Sequence, residues 1–219
     1  MRTLTFSGYT WWVKESSEPV GPGPSLFSGS PRHVEVDRQG RLHMRILRTE
    51  GKWTCSEVVN SRSLGYGTYR FYLETDVALF DPNVVLGLFT WSDTPDYANR
   101  EIDIEFARWS DPGAPNAQFV VQPAVPGRMV RFRIPRGIVR SVHSFRWEPG
   151  AVRFSSRSGS DPARGTLLHT WTFAGRDVPV PGDENPRINL WLNRGEPPSD
   201  GKEVEAIISR FRFEPLRGR

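Results

Sequence analysis

The chain has 219 residues, a formal net charge of +4, a pI near 9.6, and 37% hydrophobic and 12% aromatic residues. That is enough apolar material for one substantial core and too little length for two ordinary domains, so a single domain over 1–219 is expected. No stretch reaches membrane-span length, the lone Cys55 excludes an internal disulfide, and the basic residues are scattered arginines with only Lys14, Lys52 and Lys202 beside them, which argues against a nucleic-acid binder.

The 19 prolines and 20 glycines are spread along the sequence, as turns between many short strands require. Residues 1–17 predict a short strand and carry the pair Trp11-Trp12. The Pro/Gly-rich stretch 18–31 predicts a long irregular loop. A hairpin follows, from His33–Asp37 through Arg38-Gln39-Gly40 to Arg41–Leu47. Trp53–Ser61 and Tyr69–Thr75 read as strands, the second entered through Gly65-Tyr66-Gly67, and Val84–Trp91 is apolar enough for a central strand. After a turn-rich loop at Ser92–Ala98 comes an acid-bearing strand, Asn99–Phe106. Ala117–Gln122, Arg128–Ile134, Val142–Glu148 and Val152–Ser156 continue the series, the last two joined at Pro149-Gly150. In Arg128–Ile134 the arginines alternate with apolar residues, the pattern of a wet strand face. Thr166–Phe173, Arg187–Asn193 and Val204–Phe213 close the chain. No segment of length has helical period, so the expected fold class is all-β, a two-sheet antiparallel β-sandwich or jelly roll with a concave cleft.

The acid strand alternates strictly. Ile102, Ile104 and Phe106 point one way, into a core, and Glu101, Asp103 and Glu105 the other, where all three are expected to be exposed in the concave cleft. Such a row is costly, because acids are poor strand residues and like charges on one face repel. Carboxyls at two-residue intervals can divide labour, one ionised and one held protonated, as retaining cleavage of a glycosidic bond requires. On a flat strand the Cα atoms of Glu101 and Glu105 stand ~13 Å apart, so the sheet must curve or the side chains lean together. The pattern alone also fits a polar strand face or an acidic cation site.

With these residues in place, the chain resembles glycoside hydrolase family 16, the β-jelly-roll endoglucanases and their relatives. Glu101-Ile102-Asp103-Ile104-Glu105-Phe106 matches the family's E-x-D-x-E core, in the form found in bacterial lichenases and plant xyloglucan transglycosylases. Trp53-Thr54-Cys55-Ser56-Glu57, Gly65-Tyr66-Gly67-Thr68-Tyr69 and Leu88-Phe89-Thr90 precede it in the family's order. Ala117-Gln118-Phe119, His143-Ser144-Phe145-Arg146-Trp147-Glu148-Pro149 and Asn189-Leu190-Trp191 follow it. The similarity covers roughly residues 50 to 215. It implies Glu101 as nucleophile, Glu105 as general acid/base, and Asp103 as the group that hydrogen-bonds the nucleophile, the three titrating as a coupled set. It also implies Glu57 as a cleft carboxylate for sugar hydroxyls, with Asn189 and Trp191 supplying a polar contact and a stacking ring. The chain departs from lichenases at Asn99-Arg100, where they have Trp-Asp; at Val120 and Gln122, where they have Asn and Tyr; and at Val59, where their cleft carries an Arg. The partner of the Cys55 position is missing near Ser28-Gly29.

Phe89, Trp91 and Trp109 are further candidate sugar-stacking rings, Trp109 because it shares strand parity with the acids. Gln118 and Gln122 are candidate hydroxyl binders. Trp11, Trp12, Trp147 and Trp171 are expected to pack. His143 and His169 have no His or Cys at ligand spacing, so neither a catalytic metal nor a cofactor is expected. The function implied is a retaining endo-glycosidase acting on a β-linked polysaccharide, a β-1,3 or β-1,3-1,4 glucan. The alternatives are a transglycosylase on the same scaffold and a non-catalytic carbohydrate-binding jelly roll. The expected protein is monomeric and extracellular, without nucleic-acid or membrane partners, although the N-terminus shows no signal-peptide h-region.

Overall fold

A computed structural model describes residues 1–94 and 100–216. Residues 95–98 of the expected turn-rich loop, and Asn99 at the head of the acid strand, lie outside the described residues. The strands are β1 (Arg2–Phe6), β2 (Tyr9–Val13), β3 (Leu26–Phe27), β4 (Val34–Val36), β5 (Leu42–Thr49), β6 (Lys52–Asn60), β7 (Gly67–Glu74), β8 (Val84–Trp91), β9 (Ile102–Phe106), β10 (Ala117–Val121), β11 (Met129–Phe132), β12 (Arg140–Glu148), β13 (Ala151–Ser158), β14 (Leu167–Ala174), β15 (Asn185–Leu192) and β16 (Val204–Pro215). Among the described residues, no helix is long and apolar enough to cross a membrane.

The strands follow one hydrogen-bonded path, β11-β10-β9-β8-β15-β6-β5-β16-β7-β12-β13-β14, with β1 and β2 added at β6 and β4 at β5. The path doubles over at the β5–β6 hairpin, whose ladder runs only from Leu47↔Thr54 to Thr49↔Lys52. Its two-residue turn has Glu50 at φ 51° and Gly51 at φ 81°, the paired left-handed geometry that matches strand twist in a tight hairpin. On one side of this fold lie β6, β15, β8, β9, β10 and β11; on the other lie β5, β16, β7, β12, β13 and β14.

The two layers meet through the inward side chains that the alternation predicts. Ile102, Ile104 and Phe106 are each at most 1% exposed. Phe106 of β9 meets the His143 ring of β12 edge-on at 4.7 Å, and Phe119 of β10 stacks on Phe154 of β13 at 4.8 Å. At the far edge Phe132 of β11 stacks on His169 of β14 at 4.4 Å. A one-residue slip of β9 would reverse its two faces, so this packing fixes where the carboxyls point. His143 is a core residue: its ring nitrogens meet Ser156 Oγ at 2.7 Å and Ser141 Oγ at 2.8 Å, and burial lowers its pKa to about 3.

Several expectations are corrected. Residues 1–17 form two strands, a hairpin whose second strand pairs with β6. The Pro/Gly-rich stretch contains regular structure, since β3 runs parallel to β6 at Leu26↔Thr54 and Phe27↔Cys55. Trp11 and Trp147 are fully buried and Trp171 is half-buried, but Trp12 is 38% exposed and stands outside the core. Its partner across the ladder is Val59, on the face opposite the core. The strand expected over Arg128–Ile134 shrinks to Met129–Phe132, and two of its arginines, expected on a wet face, hold backbone carbonyls. Arg128 donates to Val121 O and Gln122 O, and Arg131 to Ala107 O and Pro115 O.

Candidate active site

Side chains directly opposite one another in a ladder share a face, so the register alone assembles the site. One row crosses six strands: Glu57 (β6), Asn189 (β15), Gly87 (β8), Glu105 (β9), Gln118 (β10) and Arg131 (β11). The next row on the same face holds Trp12, Val59, Arg187, Phe89 and Asp103. Above these rows lies a cleft of about 370 Å³, lined in part by Glu101, Asp103, Glu105, Glu57, Arg187 and Trp191.

Gly87 lets the rows close up. Asn189 Oδ1 accepts a hydrogen bond from the Gly87 N–H at 3.1 Å, and a Cβ on residue 87 would stand 2.5 Å from that oxygen. A side chain there would push Asn189 off the cleft floor beside Glu105.

The three carboxyls differ in depth. Asp103 is 2% exposed, against the expectation that all three acids face solvent, while Glu101 and Glu105 are partly exposed. Asp103 Oδ2 accepts from Gln122 Nε2 at 2.9 Å, and Glu105 Oε2 from Gln118 Nε2 at 2.6 Å. Burial raises the proton affinity of all three, most heavily for Asp103, where the charges of Glu101 and Glu105 add to it. A hydrogen bond between Asp103 and Glu101 raises Asp103 further and offsets part of the rise at Glu101, so that Asp103 is the donor of the pair. The Gln118 amide favours the charged form of Glu105. The cluster therefore keeps protons at pH values where ordinary carboxyls have lost them.

Farther along the same sheet face a chain of charged groups fixes the remaining side chains. Glu57, 1% exposed, accepts from Lys14 Nζ at 2.9 Å, and Arg187 Nη1 lies 3.6 Å from its other oxygen. Lys14 also donates to Gly21 O at 2.7 Å, tying the Pro/Gly-rich stretch to the cleft. Arg187 Nη2 donates to Asp93 Oδ2 at 2.7 Å, and Asp93 Oδ1 accepts the Trp91 indole N–H at 3.1 Å.

Eight of the sequence-derived candidates therefore line the cleft: Glu101, Asp103, Glu105, Glu57, Phe89, Trp91, Asn189 and Trp191. Gln118 and Gln122 sit beside it, holding Glu105 and Asp103. Trp109 arrives differently from its expected strand parity: β9 ends at Phe106 and Trp109 has φ 56°, in a turn. Its indole nevertheless donates to Gln118 Oε1 at 3.1 Å and meets the Trp191 ring at 6.0 Å. Sequence reasoning missed Lys14, Gly87, Asp93 and Arg187. Arg187 carried a usable signal, since Arg187, Asn189 and Trp191 alternate on one strand. It also answers a departure from the lichenase pattern: Val59 pairs directly with Arg187, so a guanidinium reaches Glu57 from the adjacent strand.

No protein-family profile matches the sequence, and no curated protein matches it. Solved structures share its fold. The Bacillus licheniformis β-glucanase superposes with a TM-score of 0.69 at 18% identity, over 94% of this chain and 92% of that one. A prokaryotic β-1,3-1,4-glucanase (lichenase) from a mouse hindgut metagenome gives 0.67 at 18% identity, over 94% and 93%. An immunostimulatory antigen and pseudo β-1,3-glucanase of Mycobacterium tuberculosis gives 0.70 at 18% identity, over 94% and 91%.

Proposed function

We propose that the chain is a glycoside hydrolase of family 16 that cleaves a β-linked glucan, of β-1,3 or β-1,3-1,4 type, with retention of configuration. The observation that carries this reading is the Glu101–Asp103–Glu105 row in a cleft that Trp91, Trp191, Asn189 and Glu57 also line. The shared fold with β-glucanases supports it.

In this reading the Glu101 carboxylate attacks the anomeric carbon while Glu105, as the acid, passes its proton to the departing glycosidic oxygen. Glu105 then takes a proton from water, and that water displaces Glu101 from the sugar. Asp103 holds Glu101 by a hydrogen bond that lowers the nucleophile's proton affinity, against the burial that raises it. Burial supplies the acid, because a desolvated Glu105 retains its proton to higher pH than a free glutamate.

Azide rescue tests the two roles separately, with a glucoside carrying a reactive leaving group. Glu101→Ala should give a glycosyl azide of inverted configuration, from direct attack in the space left by the carboxylate. Glu105→Ala should still form the glycosyl-enzyme and give an azide of retained configuration. The opposite stereochemistry reverses the roles. A folded wild type inactive on every soluble β-glucan, with no rescue of either variant, leaves a binding module, a reading kept in view by the pseudo-glucanase among the structural neighbours.

A further inference from the structure

Trp12 is the one aromatic among the exposed large hydrophobic side chains of the described residues, at 38% exposure. Its place in the register gives that exposure a direction. Trp12 pairs with Val59, Val59 with Arg187, Arg187 with Phe89, and Phe89 with Asp103. Paired residues emerge on the same face, so the indole stands on the face that bears the carboxyls. Four strand spacings separate it from Asp103, roughly 19 Å along the sheet.

The cleft runs toward it. The cleft lining crosses the strands from Asp103 on β9 through Phe89 on β8 and Arg187 on β15 to Glu57 on β6, and ends on Lys14. Lys14 extends β2 by one residue, its N–H donating to Glu57 O at 3.0 Å, so Trp12 and Lys14 are two apart and share a face. Around the indole the face bears hydroxyls. Thr10 precedes it on β2, and Thr3 pairs with it on β1; both are exposed. The neighbours on the other face of this hairpin, Phe6, Trp11 and Val13, are all at most 1% exposed, so the hairpin is seated on the core through the face away from Trp12.

We propose that Trp12, with Thr3 and Thr10 beside it, is a distal sugar platform that holds a polysaccharide chain extending from the cleft past Lys14. A flat indole offers apolar contact to the face of a pyranose ring, and flanking hydroxyls meet its equatorial hydroxyls. The site binds by stacking and contributes nothing to the bond-breaking step. This assignment rests on the proposed glycan-binding function of the cleft.

Chain length tests it. Binding is measured with the Glu101→Gln variant, so that ligand is not consumed, using a β-glucan disaccharide and a long soluble β-1,3-1,4-glucan fragment. A disaccharide seated at the carboxyls is too short to reach the indole. Adding Trp12→Ala should weaken the long fragment about five- to tenfold, the size of one aromatic contact, and leave disaccharide affinity unchanged. Trp12→Phe should keep most of the long-chain affinity. Equal weakening of both ligands, or of neither, overturns the platform. If Glu101→Gln binds neither ligand while folded, the glycan reading of the whole cleft falls with it.

Discussion

Arg187 and Asp93 meet at 2.7 Å although 94 residues separate them, and they join a buried strand to an exposed loop. The Arg187 side chain is 8% exposed and that of Asp93 82%. The outer oxygen of Asp93 holds the Trp91 indole N–H, while the inner side of the guanidinium faces Glu57. One arginine thus sets both a candidate stacking ring and a candidate hydroxyl binder.

Removing that arginine should affect stability and ring orientation together. Arg187→Met leaves Glu57 buried with Lys14 as its remaining cation, and should cost about 1–3 kcal/mol in chemical denaturation. Asp93→Asn removes an exposed partner and should cost under about 1 kcal/mol. Both should shift the Trp91 indole N–H resonance in an NMR spectrum. An unmoved resonance in Asp93→Asn would show that Trp91 is placed by its other contacts.

Gly87→Ala should be destabilising by about 1–3 kcal/mol, since its Cβ would stand 2.5 Å from Asn189 Oδ1 in a packed sheet. A double variant, Gly87→Ala with Asn189→Ala, should recover part of that loss because the clashing group is gone. Additive losses in the thermal melts would place the strain elsewhere.

The Gln118 amide donates to Glu105 and is itself oriented by the Trp109 indole. Gln118→Leu removes a hydrogen bond that favours ionised Glu105, so the proton affinity of Glu105 should rise. In a pH–rate profile the limb that reports Glu105 should move to higher pH. Trp109→Phe frees the amide to rotate and should move it the same way by a smaller amount. A limb that stays put in both variants would remove Gln118 from the titration of the site.

Burial raises Glu105 to about 7 and Glu101 to about 8, and Asp103 is raised as well. These three groups therefore bind more protons in the folded protein than in the unfolded chain, where they titrate near ~4. Their contribution to stability is fully present below that value and is lost as pH rises toward about 8, the reverse of a salt-bridged carboxylate, while His143, lowered to about 3, opposes it below about pH 6.5. Asp103→Asn removes the most deeply buried of the three and should flatten the fall in Tm between pH ~5 and 8. A Tm fall between pH ~7 and 8 that is the same in Asp103→Asn as in the wild type would mean that the cluster is ionised at no cost.

The sequence by itself determined the strand class and the two faces of the acid strand. Alternation is a local property, and apolar residues at Ile102, Ile104 and Phe106 leave only one face to bury. The catalytic candidates were legible for the same reason, since three acids in one short strand share a face whatever the strand packs against. The same local reasoning failed at Trp109, because parity holds only while the strand continues and β9 stops at Phe106.

What only the tertiary structure decided is which distant residues join those acids. Strand order and register are set by long-range packing, and they alone bring Glu57, Asn189, Gly87 and Glu105 into one row. The Trp11-Trp12 pair shows the same division. Neighbouring residues on a strand face opposite ways, so one indole must be outward, but which one depends on the layer beneath. The core took Trp11, and the pairing of β2 with β6 carried Trp12 onto the face of the cleft.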